Sequence, residues 1–213
     1  RKFRGVSVYT MPLPGAGRTL LFALLMLNQL PADTFEDMQR GYKKMHLLTE
    51  VLRKAFLERS DRPFDPNFYP QMEIEEKDML RRKFARRSIK EILKKVDKSI
   101  LSVIASEDER SWETTHLSVM DSKGMAVSLT QSIERVYGSK AAADGLGFLY
   151  NNYMMDFEYE IPTHPFYLRP NAVPWATVAP CLIFNKNKIW MALGSPGSER
   201  IMSTIAQFLI HVV

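Results

Sequence analysis

An α+β fold, helices first and strands after, is what this 213-residue sequence predicts. Through about Lys98, apolar residues recur at three- and four-residue steps, the period of helices packed on one face. After Trp112 the period changes to alternation, the mark of strands. Strands and helices do not take turns along the chain, which argues against a doubly wound parallel sheet, and no internal repeat is evident.

The elements follow in order. "GVSVYTMPLPGAG" reads as a short strand entering a Pro/Gly loop, and "TLLFALLMLNQL", Thr19 to Leu30, as a buried helix. A second helix is predicted from Asp33 to about Arg59, with Asp33 and Thr34 as cap candidates and Met38, Tyr42, Met45, Leu48, Leu52 and Phe56 on its apolar face. "SDRPFDPNFYPQ" ends it with three prolines. "KDMLRRKFARRSIKEILKKVDK" follows as an amphipathic basic helix, and Ser106 to Trp112 as a polar link. A β-hairpin covers Thr114 to Ser132. "GLGFLYNNYMMDF" is predicted as a short strand entering a loop, and "IPTHPFYLRPNAVP" as irregular. "TVAPCLIFNKNKIWMALGSPG" is a second hairpin turning at Asn185 to Lys188, with a final helix after "GSPGSER". The chain lacks an initiator Met and stops within the apolar "STIAQFLIHVV", so it is expected to be a fragment of a longer protein.

Composition narrows the function classes. Hydrophobic residues make up 46% and charged residues 25%, enough for a sizeable core. Lys plus Arg exceed Asp plus Glu by 29 to 24, and much of the excess lies in the basic helix. That helix reads as a solvated face rather than a nucleic-acid or membrane surface, because no aromatic interleaving or reader motif accompanies it. Arg169, Lys186 and Lys188 are read as solvated loop and turn residues. Cys181 is the only cysteine, so an intrachain disulfide and a Cys-rich zinc site are excluded. His46 and His164 stand apart from any acidic cluster of ligand spacing, and no metal or cofactor is expected. The longest apolar run is too short for a membrane-spanning helix.

The hairpin "WETTHLSVMDSKGMAVSLTQSIERVYGSK" is the most informative stretch. Its strands, Thr114 to Asp121 and Met125 to Ser132, are joined by Ser122, Lys123 and Gly124, with Gly124 at the position of a three-residue loop that wants a left-handed backbone. With Asp121 opposite Met125, Thr114 faces Ser132, and directly opposed residues have Cβ atoms about 4.5–5.5 Å apart. A two-residue turn would slip the register and aim Ser132 at the other face. From spacing alone, this hairpin is better read as structural, with threonines present for their β-propensity and His116 as a hydrogen-bonded strand residue.

"TTHLSV", "GMAVSLTQSI", "YGSK", "GLGFLYNN", the pair Asp156 and Phe157, and "GSPGSERI" succeed one another in the order and spacing of the gamma-glutamyltranspeptidase family, which this chain resembles. "VYTMPLPGAG", "LLMLNQL", "HLLTEVLRKAFLER" and "DPNF" are similar to the end of that family's large subunit. The resemblance covers nearly the whole chain. It implies an N-terminal-nucleophile hydrolase with an αββα sandwich, incomplete in this chain. Residues 1–113 would be the mainly helical C-terminal part of the large-subunit region. Residues 114–213 would be the mainly β start of the small-subunit region.

The resemblance also implies a chemistry. The precursor would cleave itself between Glu113 and Thr114, and the freed α-amino group, with a reference pKa near roughly 8, would serve as base for the Thr114 hydroxyl. Thr114 would form an acyl-enzyme from glutathione or another γ-glutamyl amide, resolved by water or an amine acceptor. Ser132 matches the residue supporting the nucleophile. Glu134 and Asp156 match the groups that hold the glutamyl α-amine. Gly197 and Ser198 stand where the family usually has two glycines, whose amides form an oxyanion hole. The partners implied are the remainder of both subunits, and the location is extracellular or periplasmic.

Three departures weaken the substrate clamp. Ala176 and Thr177 replace two serines that grip the α-carboxylate, Tyr153 replaces a Gln or Glu near the amine, and "PLPGAG" differs from the family's usual proline-rich string. The family's carboxylate-binding arginine falls in an N-terminal part that this sequence does not contain. An acylase of the same architecture with a different acyl group, or a catalytically incompetent fragment, are therefore the alternatives.

Overall fold

The computed structural model describes residues 1–36, 41–60, 65–69, 78–98 and 112–213, with the side chains of residues 60, 112 and 113 excepted. Two sheets lie one upon the other, with helices on the outer side of the larger. That sheet has the order β1 (Lys2–Phe3), β2 (Val6–Thr10), β5 (Cys181–Asn185), β6 (Lys188–Leu193), all antiparallel. The smaller is the hairpin of β3 (Trp112–Met120) and β4 (Ala126–Arg135). It packs on β5 and β6: Ser128 Oγ donates to the Leu193 carbonyl at 2.9 Å, and the Cys181 N–H donates to Ser128 Oγ at 3.2 Å.

The helices are α1 (Gly17–Leu27), α2 (Tyr42–Ser60), α3 (Arg82–Asp97) and α4 (Arg200–Val212). α1 is apolar nearly all round because α2, α3, α4 and the sheet all pack against it. Phe22, Leu20, Leu24, Met26 and Leu27 are fully buried there, with Ile183 from the sheet and Ile201, Met202 and Ile205 from α4. Each such side chain contributes roughly 1.5–3 kcal/mol of burial, so this cluster dominates the stability of the layer. α3 turns Ala85, Ile89, Ile92 and Val96 inward and leaves Arg82, Lys83, Arg86, Arg87 and Lys90 outward, the solvated basic face that its periodicity predicts.

The layers are thus helix, sheet, sheet, which is the α+β class expected and three of the four layers of an αββα sandwich. Among the described residues no helix covers the far face of the hairpin, where Leu117, Val119, Val127 and Leu129 are exposed.

Three expectations need correction. The helix predicted from Asp33 is instead a 3-10 turn, Ala32–Phe35, after which Glu36 is extended; α2 starts only at Tyr42. Thr34 Oγ1 donates back to the Pro31 carbonyl at 2.7 Å, so it closes that short turn rather than capping a long helix. The strand predicted in "GLGFLYNNYMMDF" is a loop with one isolated bridge, Ala142 to Leu149, and a 3-10 turn at Tyr153–Asp156. Gly145 and Gly147 take left-handed backbones that break any extended path. Arg169 is not solvated: its guanidinium lies 3.9 Å from the centre of the Phe68 ring and 5.7 Å from that of Tyr69. The link from 106 to 111, Met38, and residues 61–64, 70 and 71 of the proline-rich stretch lie outside the described residues.

Candidate active site

The turn between β3 and β4 sets everything above it. Gly124 is left-handed at φ +86°, and the Asp121 carboxylate accepts the N–H groups of Lys123 and Met125 at 2.9 and 2.8 Å. The resulting ladder pairs Thr114 with Ser132, His116 with Thr130 and Ser118 with Ser128, the register that the Gly124 turn predicts. These even-numbered residues face β5 and β6, while Thr115, Leu117 and Val119 face away.

At the open end the ladder shifts. Thr114 pairs with Ser132, but Glu113 pairs with Glu134, leaving Ile133 as the extra residue of a bulge. Glu134 takes a left-handed backbone at φ +72°, an unfavourable conformation for a residue with a side chain. The bulge is held from two sides. The Asn152 N–H donates to the Ile133 carbonyl at 3.0 Å, and the Glu134 N–H donates to Ser132 Oγ at 3.0 Å. The Thr114 hydroxyl donates to the same Ser132 Oγ at 3.2 Å. The irregularity therefore falls at the peptide bond between Glu113 and Thr114.

Ser132 opens onto an acidic group. The Tyr153 hydroxyl is hydrogen-bonded to both Ser132 and Glu134. Burial first, and then the Asp156 carboxylate, push the Glu134 carboxyl up to about 7 against the opposing effect of the Tyr153 hydrogen bond. Burial likewise raises the Tyr153 phenol above its ordinary value, with the Glu134 and Asp156 charges adding to it. Two neighbouring carboxylates with one half-protonated at neutral pH form a site that gains from a bound cation. Thr114, Ser132, Glu134, Tyr153 and Asp156 are thus brought into one cluster.

Gly197 and Ser198 follow β6 in the loop that starts α4. Gly197 has φ +118° and Ser198 φ +53°, and Ser198 is buried. Ser198 therefore occupies a backbone position that suits glycine. The carbonyls of both residues accept from the first turn of α4, at 2.9 Å from Arg200 and 3.1 Å from Ile201. Glu199 acts electrostatically on Glu134, which places this loop beside the carboxylate cluster.

Ala176 and Thr177 lie on a separate segment. The Ala176 N–H donates to the Pro14 carbonyl at 3.4 Å, and its own carbonyl accepts from Arg59 Nη2 at 2.6 Å. Neither is hydrogen-bonded to Thr114 among the described residues. Arg59 was missed by sequence reasoning. It is 3% exposed, stacks at 3.8 Å over the Trp175 ring, and has an Nη1 atom with no hydrogen-bond partner. Burial lowers its pKa to about 10, and the Glu199 charge acts the other way, so Arg59 and Glu199 connect this segment to the loop of Gly197. Its place near the end of α2 looks like any charged helix position, and no local signal marks it.

A groove of about 510 Å³ runs beside Thr114, lined by Thr114, Thr115, Gln131 and Ser132 from the hairpin and by Phe148, Tyr150 and Asn151 from the loop that follows it. The sequence marks "GLGFLYNN" as a short strand and as a family motif, and neither reading foresees its place as a groove wall.

Comparison with known proteins places the chain. The model of the family "Gamma-glutamyltranspeptidase" matches residues 1–213. The glutathione hydrolase proenzyme of Escherichia coli strain K12 is 27% identical over 231 residues, covering 99% of this chain and 38% of that protein. The acylase ACY 1 proenzyme of Pseudomonas sp. strain SE83 is 29% identical over 224 residues, covering 99% of this chain and 37% of that protein. The crystal structure of cephalosporin acylase from Bacillus halodurans superposes with a TM-score of 0.75 at 20% identity, over 99% of this chain and 36% of that one, a likeness of fold. The chain thus spans little more than a third of the length of these relatives. With a family model matched from end to end, this chain belongs to the gamma-glutamyltranspeptidase family.

Proposed function

We propose that this chain carries the nucleophile and much of the acyl site of a gamma-glutamyltranspeptidase-type N-terminal-nucleophile hydrolase. The reading rests above all on the hydrogen bond from Thr114 Oγ1 to Ser132 Oγ at the bulge that interrupts the ladder next to Glu113. In maturation the Thr114 hydroxyl adds to the Glu113 carbonyl carbon, the peptide C–N bond breaks, and water hydrolyses the ester. The products are a Glu113 carboxylate and a Thr114 α-amine. That amine then takes the Thr114 hydroxyl proton as Oγ1 attacks a substrate amide carbonyl, and returns it to the departing amine. Gly197 and Ser198 amides stabilise the tetrahedral oxyanion. Water or an amine acceptor releases the acyl group and frees Thr114.

Glu134 and Asp156 receive the ammonium of a γ-glutamyl group, with Tyr153 ordering Glu134. Glutathione and other γ-glutamyl amides are the substrates this favours, and the name of the Escherichia coli relative agrees. A second reading, an acylase with another acyl group, draws on Ala176 and Tyr153 and on the name of the Pseudomonas relative. The remaining parts of both subunits complete the site, whose location outside the cytoplasm the family suggests.

Purified full-length protein run on a denaturing gel should give two bands, the smaller beginning at Thr114. Thr114→Ala should stay as one chain and release less than about one thousandth of the wild-type product, since the covalent step is lost. Cleavage of that variant would contradict the assignment. Equal release from γ-glutamyl and other acyl anilides would favour the acylase reading.

A further inference from the structure

His116 lies two residues beyond Thr114 on the same face of β3, and the proposed chemistry leaves it without a task. Its ring is fixed at both nitrogens: Nδ1 is 2.8 Å from Thr130 Oγ1, directly across the ladder, and Nε2 is 2.9 Å from Ser118 Oγ, the next residue on the face. Neither nitrogen is hydrogen-bonded to Thr114, so the ring is no base for the nucleophile. Burial lowers its pKa, which keeps it neutral near pH 7.

What the ring touches is the backbone of Gly194. A Cβ added there would stand 2.2 Å from His116 Cε1 and Nδ1 and 2.8 Å from Nε2, distances that no methyl group can occupy. Gly194 is the first residue beyond Leu193, the end of β6, and opens the segment that reaches Gly197 and Ser198. The hairpin is tied to the end of β6 one residue earlier, where Ser128 Oγ donates to the Leu193 carbonyl. One rigid ladder therefore carries both the nucleophilic hydroxyl and a clamped ring on which the oxyanion loop begins.

We infer that His116 is a positioning residue: seated between Thr130 and Ser118 and pressed on Gly194, it sets the distance from Thr114 Oγ1 to the Gly197 and Ser198 amides. The inference rests on the hydrolase reading above. An oxyanion donor displaced by an ångström loses the transition state while leaving ground-state binding nearly intact, because the donors are aimed at the charge that develops in the reaction.

The test uses full-length protein and a chromogenic acyl anilide, with the matured fraction quantified for each variant so that rates refer to cleaved enzyme. His116→Ala should lower kcat about 100-fold with KM changed less than threefold. Gly194→Ala should lower kcat by a similar factor, since its methyl meets the ring. The double variant His116→Ala/Gly194→Ala decides the matter: the new methyl fills part of the space the ring leaves, so its kcat should exceed that of Gly194→Ala by at least tenfold. Losses that simply multiply, or a His116→Ala enzyme with unchanged kcat, would overturn the positioning role. If single variants fail to mature, the double variant still reports, because restored maturation and turnover support the contact and their absence refutes it. Wild-type enzyme that neither matures nor releases any anilide would refute the hydrolase reading itself, a result separable from the other two.

Discussion

Glu134 concentrates the unusual features of the site in one residue. Its backbone is left-handed, its side chain is buried, and its carboxyl is raised to about 7 by burial and by Asp156. A carboxyl with a higher pKa folded than unfolded holds its proton in the native state over a range where the unfolded chain has lost it. Stability should therefore fall as pH rises from about 4.5 to about 7, by an amount on the order of 2 kcal/mol, and level off above. Glu134→Gln keeps a neutral side chain throughout. It should remove this decline and leave the variant more stable than wild type at pH 8, as denaturant midpoints across pH would show. The same substitution removes a charge from the proposed ammonium pocket, so KM for a γ-glutamyl anilide should rise at least tenfold at pH 8. A variant more stable yet worse at binding is the signature of a residue strained for function. Sequence reading found Glu134, Asp156 and Tyr153 through the family resemblance. The resemblance also implies that the three lie near one amine, but not that Tyr153 is hydrogen-bonded to both Ser132 and Glu134 or that burial raises the Glu134 carboxyl, which depend on the loop at 145–157 folding back over the bulge.

At the scale of elements, the β3–β4 hairpin shows how a three-residue turn decides which side chains face each other ten residues away. Gly124 has φ +86° and open space where a Cβ would be, so substitution there tests backbone strain alone. Gly124→Ala should cost about 1 kcal/mol, and Gly124→Asn less, because asparagine tolerates the left-handed region. Thermal or chemical denaturation of the two variants checks the order. Equal losses would mean that the turn does not depend on the left-handed conformation. The hairpin was legible because its determinants are local: alternation and a glycine in the required place of a three-residue turn. The helix from Asp33 was misread for a related reason. Asp33 and Thr34 have the chemistry of helix caps, but they sit in a 3-10 turn after which Glu36 goes extended, and residue type alone does not see that.

For the whole molecule, the two halves of the chain share one sheet and one core, with β2 paired to β5 and α1 packed on α4. Arg59 is a principal tie across that divide. Its guanidinium stacks on Trp175 and donates to the Ala176 carbonyl, contacts that span 116 and 117 residues of sequence. Arg59→Ala removes the stack and strands a carbonyl, so it should destabilise the protein by about 2–4 kcal/mol. Arg59→Lys should recover less than half of that, since an ammonium cannot stack and fork as a guanidinium does. Unfolding midpoints for both variants would check this, and a loss under 1 kcal/mol would mark Arg59 as incidental.

By itself the sequence determined the α+β order of elements, the hairpin register that sets Thr114 against Ser132, and, through its ordered motifs, the family. Each of these depends on short-range chemistry or on a linear pattern. Only the tertiary structure decided that the bulge falls beside Glu113, that Arg59 is buried against Trp175, and that His116 rests on Gly194. Those are contacts between segments far apart in the chain, and the energies that select them come from layers packing together, which no local spacing encodes.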